Sequence, residues 1–140
     1  MKRSFLRVIM VAVVLSMAAL NGTNLLASNA EDYIKNDVVV NGLVTERIIY
    51  VNSEGMLNRH IHYIYSYNTG NQMTCKKAEK WDSVSEEWKP YFQLEMAYEN
   101  DEVVVTYARW NQRTKHYDKD VQTWRYEISD DLREQLMANR

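Results

Sequence analysis

From residue 43 onward apolar and polar residues alternate along the chain, and this period of two constrains the fold more than any other feature. Residues two apart in a strand project to the same side, so sustained alternation describes a sheet with one buried face. Leu43 to Val51 is rich in β-branched residues, and Asn52-Ser53-Glu54-Gly55 supplies a turn. The pattern predicts a second strand, Met56 to Tyr67, with Leu57, Ile61, Tyr63, Tyr65 and Tyr67 on one face. Asn68-Thr69-Gly70-Asn71 turns again, after which Met73, Cys75, Lys77, Glu79 and Trp81 share a face. Trp88 to Tyr98 aligns Trp88, Phe92, Leu94, Met96 and Tyr98 on one side. Glu99-Asn100-Asp101-Glu102 leads into Val103 to Trp110, and a last strand runs near Tyr117 to Ile128. The expected fold is mostly all-β, an antiparallel meander of about six strands covering residues 43–128.

Two spacings recur within this pattern. Trp81-Asp82 is followed by Trp88, and Trp110-Asn111 by Tyr117, at the same interval; Tyr50, Tyr67, Tyr98 and Tyr126 each lead into a polar turn. The expected unit is a hairpin repeat of about 30 residues, each copy burying its apolar face against the next. Residues 31–42 read as a loosely ordered segment. In 129–140, Ser129, Asp130 or Asp131 can cap a short helix carrying Leu132, Leu136 and Met137, and the repeat offers another strand as the alternative.

The N-terminus carries a different pattern. Lys2, Arg3 and Arg7 precede an apolar run, Val8 to Leu20, and a polar stretch ending in Ser28-Asn29-Ala30. Charged, apolar and small-residue regions in that order make a cleavable secretory signal peptide. As a helix the run spans about 20 Å, short of a hydrocarbon core of about 30 Å, which disfavours an uncleaved anchor. Cleavage is expected after Ala30, with Ala27 or Ser28 as alternatives. The only cysteine, Cys75, lies far downstream, so no lipid can be attached at the cleavage site. The expectation is a secreted or periplasmic protein with no membrane anchor.

All 19 acidic residues lie beyond residue 30, whereas Lys2, Arg3 and Arg7 take three of the 17 basic ones. The remainder is acidic, which argues against a nucleic-acid partner. A lone cysteine forms no internal disulfide; Cys75 reads as a buried inert thiol, with an intermolecular bridge as the alternative. No catalytic motif stands out: there is no Gly-x-Ser-x-Gly, no His-Glu-x-x-His and no phosphate-cradling glycine loop. Asp82, Glu86, Glu87, Asp118 and Asp120 read as solvated loop charge rather than a paired-acid site. His60 and His62, two apart on a strand, are expected on one face, where they resemble half of a metal site with only His116, Glu46 or Cys75 to complete it. The reading is no enzyme, no metal and no cofactor.

Ten tyrosines and four tryptophans stand against two phenylalanines. Rings near strand ends can pack between hairpins or form a platform for a protein or glycan of the cell envelope or its surroundings. The residues singled out for ligand binding are Trp88, Tyr91, Tyr117 and Trp124, with Trp81 and Trp110 assigned to packing. A carbohydrate-binding module is the alternative to a protein-interaction or structural role, and a small hydrolase comes last. The order of Tyr50-Val51-Asn52-Ser53-Glu54-Gly55, Lys77-Ala78-Glu79-Lys80-Trp81-Asp82, Glu87-Trp88-Lys89-Pro90-Tyr91 and Tyr107-Ala108-Arg109-Trp110-Asn111 resembles a family of small secreted Bacteroidetes proteins catalogued as a domain of unknown function. The resemblance implies a secreted β protein over residues 1 to about 128 and transfers no active-site residue.

Overall fold

The computed structural model describes residues 32–131. Seven strands follow one another: β1 (Asp32–Val40), β2 (Leu43–Ser53), β3 (Met56–Tyr67), β4 (Met73–Asp82), β5 (Glu87–Glu99), β6 (Glu102–Asn111) and β7 (His116–Glu127). They form one antiparallel sheet in chain order, each strand paired with its sequence neighbour. The expected meander is present, with one strand more than anticipated.

That additional strand is β1, which occupies most of the segment expected to be loosely ordered. All nine of its residues are exposed, so it carries no burial alternation to betray it. It is held by backbone pairing to β2 and by Arg47, whose Nε and Nη2 donate to the Asp37 carboxylate at 2.6 and 2.8 Å. Asn41-Gly42, both at positive φ, closes the hairpin. Two left-handed residues match the twist of paired strands, which is why Asn-Gly is a strong hairpin signal. Glu54 and Gly55 close β2–β3 in the same way.

The repeat is visible in the backbone. β2, β4 and β6 end at Ser53, Asp82 and Asn111, evenly spaced along the chain. Asp82 Oδ1 accepts from the Val84 and Ser85 N–H groups, and Asn111 Oδ1 accepts from Arg113 N–H. Each of these two loops ends on a left-handed residue, Glu86 or Lys115. Thr45 and Thr74 also correspond: each is an extra residue in its pairing, and each donates its hydroxyl across to the facing carbonyl, Val38 or Ser66, at 3.3 Å.

Every pairing except β5–β6 contains a register shift. A bulge adds one residue to one strand, increases the local twist and changes which residues share a face. The core lies on one face and comprises Val44, Ile49, Tyr63, Tyr65, Met73, Ala78, Phe92, Leu94, Met96, Val103 and Val105. The bulge at Thr74 separates Met73, which is in the core, from Cys75, which is half-buried on the other face. The buried residues of β4 are instead Met73, Lys76 and Ala78. Leu57, expected on the core face, is exposed at the start of β3.

The predicted export signal lies outside the described residues. At the other end Asp130 and Asp131 are helical, and the rest of the expected short helix also lies outside them.

A candidate recognition surface outside the core

The tryptophans divide between the two faces of the sheet, and bulges decide how. Phe92 pairs with Ala78 and Pro90 with Glu79, leaving Tyr91 as an extra residue in β5. That insertion takes Trp88 off the face of Phe92 and Leu94, where unbroken alternation had placed it. Tyr91 stays on the core side, edge-on to Phe92 at 5.2 Å, with Lys80 Nζ 5.0 Å from its ring. Trp124 faces Val105 across β6–β7 and also packs against the core. The four residues singled out for ligand binding are thus split: Tyr91 and Trp124 on the core side, Trp88 and Tyr117 away from it.

Trp81 and Trp110, expected to pack between hairpins, instead form cross-strand pairs within their own. Trp81 faces Trp88 with centroids 5.1 Å apart at 69°. Trp110 faces Tyr117 with centroids 5.0 Å apart at 68°. Edge-to-face contact sets the positive rim of one ring against the negative face of the other. The two pairs stand at equivalent places in the repeat, each beside an Asx-initiated loop.

Polar groups flank the rings. The Arg59 guanidinium sits 4.5 Å from the centre of Trp81, a favourable cation–π distance. His62 lies against Trp88 at 5.4 Å. Its Nδ1 is 3.0 Å from Glu79 Oε2 and its Nε2 3.1 Å from Glu46 Oε2. Each ring nitrogen thus stands within hydrogen-bond distance of a carboxylate. His60 is the extra residue opposite Ile49 and Tyr50, and its ring meets Tyr33 at 6.0 Å. The bulge therefore breaks the shared face expected for the two histidines. Among the described residues no three His, Cys, Asp or Glu side chains are arranged to hold a metal ion.

Tyr117 is half-buried on β7. Burial first, then the charges of Glu79 and Cys75 on β4, push its hydroxyl above the ordinary tyrosine range. Burial likewise raises the Cys75 thiol, which disfavours the reactive thiolate. Two of the lowered carboxyls serve the loops: Asp82 accepts from the Val84 and Ser85 backbone, and Asp118 from the Thr114 and Asn111 side chains.

Arg59 and the central Lys76 were not singled out from sequence, and Glu46 and His62 were named only as possible metal ligands, not as partners in a bridge with Glu79. Lys76 is only 2 % exposed, with Nζ 4.1 Å from the Tyr63 ring and 5.8 Å from that of Tyr65. Its sole sequence signal is its place between Cys75 and Lys77, which the bulge at Thr74 reverses in meaning.

A family model of unknown function, DUF3836, matches residues 1–127. The chain belongs to the DUF3836 family. No protein of curated function matches it. Among solved structures, a DUF3836 protein from Parabacteroides distasonis is 26 % identical with a TM-score of 0.67, over 76 % of this chain and 99 % of that one. A DUF3836 protein from Bacteroides vulgatus is 28 % identical with a TM-score of 0.60, over 66 % of this chain and 97 % of that one. A Bacteroides fragilis protein of unknown function is 25 % identical with a TM-score of 0.64, over 73 % of this chain and 75 % of that one. The Bacteroidetes resemblance read from the turns and aromatic motifs is the DUF3836 family.

Proposed function

We propose that this DUF3836 protein is exported and acts by binding, without catalysis, through the aromatic surface that carries Trp81, Trp88, Trp110 and Tyr117. Export rests on the charged, apolar and small-residue order of residues 1–30. One observation carries the binding reading: a protein with a single cysteine and one core face places two tryptophan-centred ring pairs outside that core. Rings held in place by edge contacts lose little freedom on binding, and aromatic and arginine side chains supply most of the energy of protein recognition. Arg59, Glu46 and His62 add charge and hydrogen-bonding groups at the rim.

The favoured partner is a protein of the envelope or its surroundings. Interplanar angles near a right angle within each pair suit side-chain insertion better than the coplanar platform on which sugar rings stack, so glycan binding comes second. A panel of envelope proteins and glycans probed with the exported protein tests the reading. Binding to a panel member that Trp88→Ala weakens at least tenfold (about 1.4 kcal/mol) is the expected result. Retention of full affinity by both Trp88→Ala and Trp110→Ala would remove the aromatic surface from consideration.

A further inference from the structure

The two edges of the sheet differ in how they are protected. An edge strand turns alternate N–H and C=O groups away from its sheet, and proteins guard such edges with charge and bulges. β7 has both: Asp118, Lys119, Asp120, Arg125 and Glu127 along its length, and two register shifts against β6. β1 is a regular nine-residue strand exposed from end to end. Its single irregularity is the extra Thr45, which lies in β2. Tyr33, Ile34, Val38, Val39 and Val40 are 43–58 % exposed.

We propose that β1 is a self-association edge, pairing antiparallel with β1 of a second copy about a two-fold axis at Asn36. Asn36 is the middle residue of Asp32–Val40, so this register uses the whole strand. It sets Tyr33 against Val39, Ile34 against Val38, and Lys35 against Asp37 of the other copy. Four of the five exposed apolar residues therefore meet apolar partners, with Val40 opposite Asp32, and the Lys35–Asp37 pair forms twice by symmetry. Asp37 keeps its Arg47 partner on the inner side while Lys35 approaches from the outer.

Charge also selects the register. A shift in one direction about Lys35 sets Lys35 against Lys35, and a shift in the other about Asp37 sets Asp37 against Asp37. Like charges directly opposite are destabilising. A shift by a single residue puts side chains on the wrong faces. The occupant is thus a second copy rather than an arbitrary strand, because the sequence Asp-Tyr-Ile-Lys-Asn-Asp-Val-Val-Val complements itself in one register.

Sedimentation equilibrium and site-directed crosslinking test this on the full chain. The wild type should show a concentration-dependent dimer, and Lys35→Glu should weaken it at least tenfold, on the order of 1.4 kcal/mol. In a Cys75→Ser background, Asn36→Cys should form a disulfide-linked dimer under mild oxidation, because position 36 faces itself. Val38→Cys should not, because it faces Ile34. All these positions in β1 are exposed, so a circular dichroism spectrum should confirm an unchanged fold. A wild type that stays monomeric across the concentration range, or equal crosslinking at positions 36 and 38, would overturn the proposal.

Discussion

Tyr67 and Tyr98 show how the repeat is held at single residues. Each sits near the end of its strand and donates its hydroxyl back to a carbonyl near the start of the preceding one: Tyr67 to Val44 and Tyr98 to Met73, both at 2.7 Å. Tyr126 occupies the corresponding place on β7, yet its hydroxyl is buried with no hydrogen-bond partner among the described residues. A buried hydroxyl costs free energy unless it is bonded, and removing one partner of a made bond exposes the other to the same cost. Tyr67→Phe and Tyr98→Phe should therefore each destabilise by about 1 kcal/mol, whereas Tyr126→Phe should be neutral or stabilising. Urea unfolding of the three variants checks this, and an equal loss in all three would contradict it. The recurrence of tyrosine before each turn was legible in the sequence. Which hydroxyls find a carbonyl was not, because that depends on the register of a strand distant in the chain.

At the level of strands and hairpins, the period of two located β2 to β7 and failed wherever a residue was inserted. Met73, Trp88 and His60 were each assigned to a face by alternation, and a bulge at Thr74, Tyr91 or His60 itself changed the outcome. A bulge is a property of two strands in register, so one strand's pattern cannot reveal it. β1 was missed for the opposite reason: with no buried face it has no pattern, and only Asn41-Gly42 announced its hairpin. The spacing from Trp81 to Trp88 and from Trp110 to Tyr117 was legible as a repeat, and the structure gives it a cause, since a loop of fixed length sets both ring pairs opposite each other. A double-mutant cycle on Trp81→Ala and Trp88→Ala should return a coupling of about 0.5–1.5 kcal/mol. The same cycle on Trp110 and Tyr117 should give a similar value. Phe92→Ala, in the core, should alone cost about 3–5 kcal/mol, and single tryptophan losses that match it would place the rings in the core after all.

For the molecule as a whole, the cation in the middle of the core face governs the response to pH. Burial pushes the Lys76 ammonium down to about 8 from an ordinary 10.5. Between those values the unfolded chain keeps a proton that the folded chain has shed, so stability should rise with pH, by up to about 3 kcal/mol. Burial acts on the tyrosines in the opposite sense. Tyr98 is raised to about 12 and Tyr65 higher still, so above about pH 10 the folded chain holds protons that the unfolded chain loses, and stability should fall. Urea midpoints at intervals from pH 7 to 11 should trace a maximum that Lys76→Met flattens on its lower side; a steady decline from pH 7 would contradict the assignment. This charge in the core could not be read from sequence, where Lys76 is one of several basic residues in β4. Under the proposed binding role the two faces of the sheet divide stability from recognition, and one paired measurement addresses that division: melting temperature and affinity for the strongest panel member, on Trp88→Ala beside Trp124→Ala. Trp88→Ala should lose at least tenfold in affinity, about 1.4 kcal/mol, with a small change in melting, while Trp124→Ala should lower the melting temperature and leave affinity intact. The reverse pattern, binding lost with Trp124 and melting with Trp88, would contradict the account.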